Sequence, residues 1–339
     1  VRALTAVQSQ EYPAATWALG QRSRDVTEAE VDRLFDAGSI LRTHVMRPTW
    51  HFVAPEDIGW LLSLTAPHVR RALAVYGRRL GIDVTERRRV NAALTSALRG
   101  GRHLTRGEVR EALQRSGVEA TGQRLAHLMI HAELDRVVVS GPRRGRQLTY
   151  ALYDERVPAT RHLDRERALA ELTRRYFTGH GPAQPRDFAW WSGLSMADVR
   201  LGLELASPSL HHELIEGVPH WSGGDVPGPG DEPPDSRTAH LLSSYDEFLV
   251  AYRDRSASTD ADGRTGLLPF PYGSVLASAV IVHGRIAGTW KRRRTGAAVT
   301  VEAVTPYVLD AVATTALAAA AGDFGRFLQA PVTLTVTRA

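Results

Sequence analysis

The stretch TGQRLAHLMIHAELDRVVVSGPRRGRQLTYAL, residues 121–152, runs from a helical pattern directly into a hairpin pattern. Leu125, Leu128, Met129 and Ala132 recur at helical spacing and share one face. The β-branched run after Arg136 then meets a Gly-Pro turn and a second strand. Two further helices precede it. TERRRVNAALTSALRGG (85–101) places Val90, Leu94 and Leu98 on one face and stops at Gly100-Gly101, and TRGEVREALQRSG (105–117) opens on a Thr105/Glu108 capping box. Three short helices followed by a hairpin is the order of a winged helix.

The same order recurs on both sides. Downstream, DRERALAELTRRYF, QPRDFAWWSG and SMADVRLGLELA read as helices, with Pro185 suited to a first turn and Ser195/Asp198 to a cap; HHELIEGVPHWS reads as a hairpin about Glu216-Gly217. Upstream, AATWALGQR and TEAEVDRLFDAG read as helices, the second capped by Thr27/Glu30, and ILRTHVMRPTWHFV reads as a hairpin. The chain opens on Val1 rather than Met, and the first helix of that unit is expected in a preceding segment. Beyond the Pro/Gly-rich loop GGDVPGPGDEPP the pattern becomes a β-meander with a His283-Gly284 turn, then a helix through VLDAVATTALAAAA and a last strand, VTLTVT. The expected fold is α+β: three winged-helix domains over 1–84, 85–160 and 161–236, then a β-rich, barrel-like domain over 237–339.

The composition fits a soluble globular chain of several domains: 339 residues, 43% hydrophobic and 23% charged. No run is long enough to span a bilayer and no signal peptide is visible. Absence of cysteine excludes disulfides and thiolate metal sites and fits a reducing cytoplasm. Among 42 Lys+Arg, Lys291 is the only lysine. Arginine's planar fork suits phosphate, and the basic balance, pI near 9.8, makes nucleic acid the leading partner class ahead of an anionic membrane.

Two basic clusters stand out. Arg143, Arg144 and Arg146 occupy the hairpin turn GPRRGR, where a wing meets DNA; otherwise this is a solvated charged turn. Lys291, Arg292 and Arg293 in WKRRR form a second patch, although edge strands also carry cations to block pairing. His127 and His131 have zinc-sharing spacing on a helix, but Leu128 stands where a metalloprotease needs Glu, so a wet recognition-helix face is expected and no metal. His44, His51 and His211-His212 read as structural or DNA-facing. Asp246 and Glu247, flanked by Arg253 and Arg255, read as structural ion pairs. No phosphate-binding loop or Gly-x-Ser-x-Gly elbow occurs, and no cofactor is expected.

One further stretch, TAVQSQEYPAATW (5–17), sets Gln8 and Gln10 one residue apart before a helix start at Pro13. If extended, both amides face one side; in a helix they diverge by about 200°. Either a paired-amide site or a solvated loop satisfies the sequence.

The pieces VQSQEYPAATWALGQR, RTHVMRPTWHFVAPEDI, YFTGHGPAQPRDFAWWSGLS, SYDEFLVAYRDR and VHGRIAGTWKRR, in this order, resemble the tandem winged-helix DNA glycosylases over nearly the whole chain. That resemblance implies three winged helices on a C-terminal β-domain and places the family's catalytic signature on Gln8 and Gln10. Ser9 stands where the family carries an aliphatic or small residue. Gln10, in place of aspartate, puts the chain with the resistance enzymes of antibiotic producers. The resemblance further implies excision of cationic N7-alkylpurines from double-stranded DNA by a monomer, with Arg47, Thr49 and His51 among the DNA contacts. The alternative is a non-catalytic winged-helix regulator that dimerises on palindromic sites.

Overall fold

The computed structural model describes residues 1–158, 161–224, 238–259 and 277–338. The chain is a mixed α+β protein that forms two compact units. The first comprises residues 1–7 and 33–224, the second residues 8–32 with the described part of 225–339. From residue 225 onward, the expected Pro/Gly-rich loop lies outside the described residues.

The chain opens with β1 (Ala6–Gln8), α1 (Tyr12–Gly20) and α2 (Glu28–Asp36). Ala6 and Val7 of β1 and the last turn of α2 belong to the first unit; α1 belongs to the second. In the first unit β2 (Leu41–His44) and β3 (Trp50–Val53) form the expected hairpin, with His44 opposite Trp50. β3 is the middle strand of the sheet β1-β3-β2. The 22-residue α3 (Ile58–Arg79) follows, an element the sequence pattern does not announce because Pro67 sits inside it. Thr65 ties α3 back to the hairpin: its hydroxyl donates to Leu61 O at 2.8 Å and accepts the Met46 N–H at 3.1 Å.

The middle of the unit follows its side-chain signals. α4 (Val84–Leu98) is capped by Asp83, which accepts the Glu86 N–H at 2.7 Å. β4 (Leu104–Thr105) leads into α5 (Arg106–Arg115), whose Thr105/Glu108 capping box is formed on both sides. α6 (Gly122–Leu134), β5 (Val138–Arg144) and β6 (Gln147–Leu152) complete the run, with sheet order β4-β6-β5. Val90, Leu94, Leu98, Leu125, Leu128 and Met129 are buried in one core. After α7 (Tyr153–Arg156), α8 (Arg165–His180), α9 (Pro185–Ser192) and α10 (Met196–Ala206) pack through Tyr176, Phe177, Phe188 and Trp191, all fully buried. Gly193 ends α9 at φ 71°, and a Cβ there would meet the Met46 carbonyl at 2.6 Å. The hairpin β7 (Leu210–Ile215)–β8 (Val218–Gly223) closes the unit.

In the second unit the strands are β9 (Ala239–Leu242), β10 (Ala279–Val282), β11 (Arg285–Thr295), β12 (Ala298–Thr305) and β13 (Val332–Arg338). The short α11 (Glu247–Val250) follows β9, and α12 (Ala311–Leu328) joins β12 to its parallel neighbour β13. Sheet order is β13-β12-β11-β10-β9. β9 and β13 remain edges among the described residues, so the sheet is open and the barrel-like expectation is corrected. α1 packs on α12 through Trp17, whose ring lies 4.9 Å from Phe324 and 5.2 Å from Phe327. Gly20 permits this approach, since a Cβ there would sit 2.4 Å from the Phe327 ring.

Candidate active site

The segment 8–11 leaves β1 and enters α1 within the second unit. Gln8 is buried, and its backbone N–H donates to the Glu247 Oε1 at 2.8 Å. Ser9 is fully buried, whereas Gln10 and Glu11 are exposed. The strand ends at Gln8, so strict alternation does not extend to Gln10. Glu11 occupies the N-cap of α1, and its Oε2 accepts the Ser244 hydroxyl at 3.2 Å.

Glu247 is set in place by its neighbours. Asp246 caps α11 by accepting the Phe248 N–H at 3.0 Å, and Arg22 grips its carboxylate with two bonds of 2.6 and 3.0 Å. The ion pairing of Asp246 thus reaches Arg22, just past the C-terminal end of α1. Burial works against the Arg22 charge, but the Asp246 carboxylate outweighs it and the guanidinium pKa is raised. The indole N–H groups of Trp17 and Trp290 donate to Leu241 O and Leu242 O, each at 2.7 Å. These bonds fix α1 and β11 to β9 within one rigid frame.

A pocket of about 270 Å³ opens beside this segment, lined by Glu11, Ser243, Ser244, Trp290, Lys291 and Arg292 over a floor that includes Trp17 and Phe324. Lys291 Nζ lies 3.1 Å from Glu302, and Arg293 also pairs with that carboxylate. The Lys291 hydrogen bond lowers the Glu302 pKa, with the Arg293 charge adding to it. The Arg292 guanidinium lies 6.0 Å from the Phe324 ring centroid. The fold therefore brings part of the second basic patch to a pocket that Glu11 shares. Glu11, Ser243 and the anchoring role of Glu247 are not evident from the sequence. The partners of Glu11 and Glu247 lie more than 230 positions away, and no local pattern marks any of the three.

In the first unit the three turn arginines have different surroundings. Arg143 is clasped by Asp36 through its backbone N–H (2.7 Å), Nε (3.1 Å) and Nη2 (2.8 Å). Arg144 bonds Glu108 at 2.6 Å and His103 O at 2.8 Å. Glu108 is held down at about 2, first by the Thr105 N–H and then by Arg144. Arg146 is exposed and makes no side-chain bond among the described residues. Arg102, His103, Arg143 and Arg144 line a basic hollow of about 390 Å³.

The remaining expected contacts are mixed. Arg47 is half-buried, with its guanidinium 5.9 Å from the Trp190 ring centroid, and Thr49 is half-buried as well. His51 is 0% exposed, with Nδ1 2.9 Å from Thr49 O, so it is a core residue rather than a DNA-facing one. His44 is also internal, its Nδ1 2.7 Å from Glu133 Oε2. The wet face expected of α6 fails at His131, which is buried, and burial pulls its pKa down to about 4. No group of three metal-ligating side chains occurs among the described residues, and no helix there is long and apolar enough to cross a membrane.

Comparison with known proteins places this geometry in context. Residues 1–327 match the family described as DNA glycosylase AlkZ-like. The solved structure of Streptomyces sahachiroi DNA glycosylase AlkZ superposes with a TM-score of 0.78 at 20% identity, covering 98% of this chain and 92% of that one. No curated protein matches by sequence.

Proposed function

Because the chain belongs to the AlkZ-like DNA glycosylase family, and so is a glycosylase of DNA repair, we propose that it is a monofunctional enzyme that excises cationic N7-alkylated purines. Gln8 and Gln10 are its catalytic amides. The observation that carries this reading is the clamp on Gln8: a buried residue at a strand end, held through its own N–H by a buried carboxylate.

Alkylation at N7 leaves a purine with a full positive charge, so the departing base needs no added proton. Water must approach C1′ of the sugar, whose ring becomes oxocarbenium-like as the glycosidic bond opens. The electron pair of the C1′–N9 bond passes to the base and cancels its charge. The water oxygen bonds to C1′ and its proton passes to solvent. An amide oxygen can accept from that water, or face the growing positive charge with a fixed dipole, at no reorganisation cost. Two neutral amides contribute less than a carboxylate would, which suits labile, already cationic lesions.

The same reading extends to unhooking of interstrand crosslinks as antibiotic self-resistance, and to a cytoplasmic enzyme that acts as a monomer on duplex DNA. Winged helices over 1–84, 85–160 and 161–236 would form the DNA-binding frame, with Arg144, Arg146, Arg47 and the 291–293 patch as phosphate contacts. The test is incubation with a duplex that carries one N7-methylguanine. Chromatography should detect free 7-methylguanine, and alkali should reveal abasic sites in equal number. A duplex that is bound but never loses its base would overturn the reading.

A further inference from the structure

The pocket beside Glu11 contains more than hydrolysis by two amides requires. Its floor is aromatic, and the Trp17 and Trp290 indole N–H groups are already committed to Leu241 O and Leu242 O. Those indoles therefore offer an occupant no free N–H donor. The polar groups above that floor differ in kind. Glu11 is a carboxylate with one oxygen bonded to Ser244 and the other without a hydrogen bond among the described residues. Ser243 is 3% exposed, yet its hydroxyl has no hydrogen-bond partner among the described residues, a costly state for a buried polar group. Lys291 and Arg292 supply cations at the rim.

We propose that this pocket receives the alkylated base and selects guanine, an inference that rests on the glycosylase reading above. The aromatic side chains of the floor, set edge to face about Phe324, supply apolar contact for a purine ring taken out of the stack. Guanine's pairing edge carries N1–H and N2–H2, two donors side by side, beside the O6 acceptor. The Glu11 carboxylate accepts the two donors and the Ser243 hydroxyl donates to O6. Adenine offers a lone pair at N1, which a carboxylate repels. The N7-alkyl cation strengthens the match, because its charge draws electrons from the ring and makes N1–H a better donor towards an anion. Lys291 and Arg292 are placed for the neighbouring phosphates. Glu11 is thus a specificity-determining residue, distinct from the amides that face the sugar.

The test compares single-turnover release of N7-methylguanine and of N3-methyladenine, both cationic, from duplexes of one sequence. Glu11→Gln keeps the shape and removes the anion. It should slow release of N7-methylguanine by roughly ten- to hundredfold, the worth of one good bidentate contact, and change N3-methyladenine by less than about threefold. Ser243→Ala should lower release of N7-methylguanine in the same selective sense, by less. Free 7-methylguanine should inhibit the native enzyme and lose that effect in Glu11→Gln, with circular dichroism melts confirming that both variants fold. Equal loss on both lesions would overturn the proposal, because the carboxylate would then act on water or sugar rather than on the base. A native enzyme that releases neither base defeats the glycosylase reading itself. One that releases both, with its preference unchanged in Glu11→Gln, defeats the pocket alone.

Discussion

Gln8 shows how a neutral side chain becomes a candidate for catalysis: its backbone is fixed before any substrate arrives. The fixing group is Glu247, buried and bonded to the Gln8 N–H at 2.8 Å. Gln8→Ala and Gln10→Ala should each lower single-turnover excision by about a hundredfold, the usual cost of one preorganised polar contact, with fold and DNA affinity nearly unchanged. Normal excision by the double variant would remove both residues from the chemistry. Glu247→Ala differs in kind, since it removes the buried acceptor of the Gln8 N–H, at a cost of about 1–3 kcal/mol. Excision should fall together with thermal stability. A second residue-scale effect belongs to His131, whose pKa burial lowers to about 4 from an ordinary 6.5, the nearby Arg87 charge adding to the shift. The unfolded chain therefore takes up this proton near its ordinary value, while the folded chain resists until about 4. The stability contribution is complete above the ordinary value and is lost as pH falls towards 4. Urea midpoints measured across that window should fall more steeply in the native protein than in His131→Leu. Parallel curves would show that another group dominates acid sensitivity.

At the scale of elements, the legible parts are those that announce their own ends. Asp83, Thr105 with Glu108, Asp164, Ser195 and Asp310 each accept a backbone N–H at the start of a helix, and each such helix is expected from the sequence. α3 is not, because Pro67 reads as a break, although buried side chains on both sides of it hold the helix together. The Arg143–Arg146 turn is legible as a hairpin but not as three separate environments, because Asp36 lies 107 positions from Arg143. That difference divides the expected effects. Arg146→Ala and Arg144→Ala should weaken DNA binding and reduce the slope of log affinity against log salt by about 0.9 for each phosphate no longer neutralised. Arg143→Ala should lower the melting temperature as well, because it strips Asp36 of its bidentate partner. An unchanged salt slope in the Arg144/Arg146 double variant would make the turn a solvated hairpin and nothing more.

At the scale of the whole molecule, the family match sets aside the regulator alternative, and the pairings that build the candidate site are long-range. Gln8 meets Glu247, Arg22 meets Asp246 and Trp17 meets Phe324, so α1 is held by elements more than 200 residues later. Periodicity and capping act over a few residues and carry no trace of such contacts. The same folding alters an argument that sequence alone supports. The one lysine, Lys291, is remote from Gln8 along the chain, yet it lines the pocket that Glu11 shares. Distance therefore does not exclude it as an amine nucleophile, and the case rests on its surroundings instead. Its side chain is 70% exposed, and Nζ sits 3.1 Å from the Glu302 carboxylate. An attacking amine needs a free lone pair, which enzymes secure by stripping water from a lysine or crowding it with other cations. Lys291 is not stripped of water, and its near partner is a carboxylate rather than a second cation. On the proposed reading Lys291 serves as a rim cation and water is the nucleophile. Borohydride added during turnover should trap no protein–DNA adduct, product strands should stay whole until alkali is added, and Lys291→Ala should weaken DNA binding more than the rate of base release at saturation. A covalent adduct that Lys291→Ala abolishes, or strand cleavage without alkali, would assign the attack to the amine.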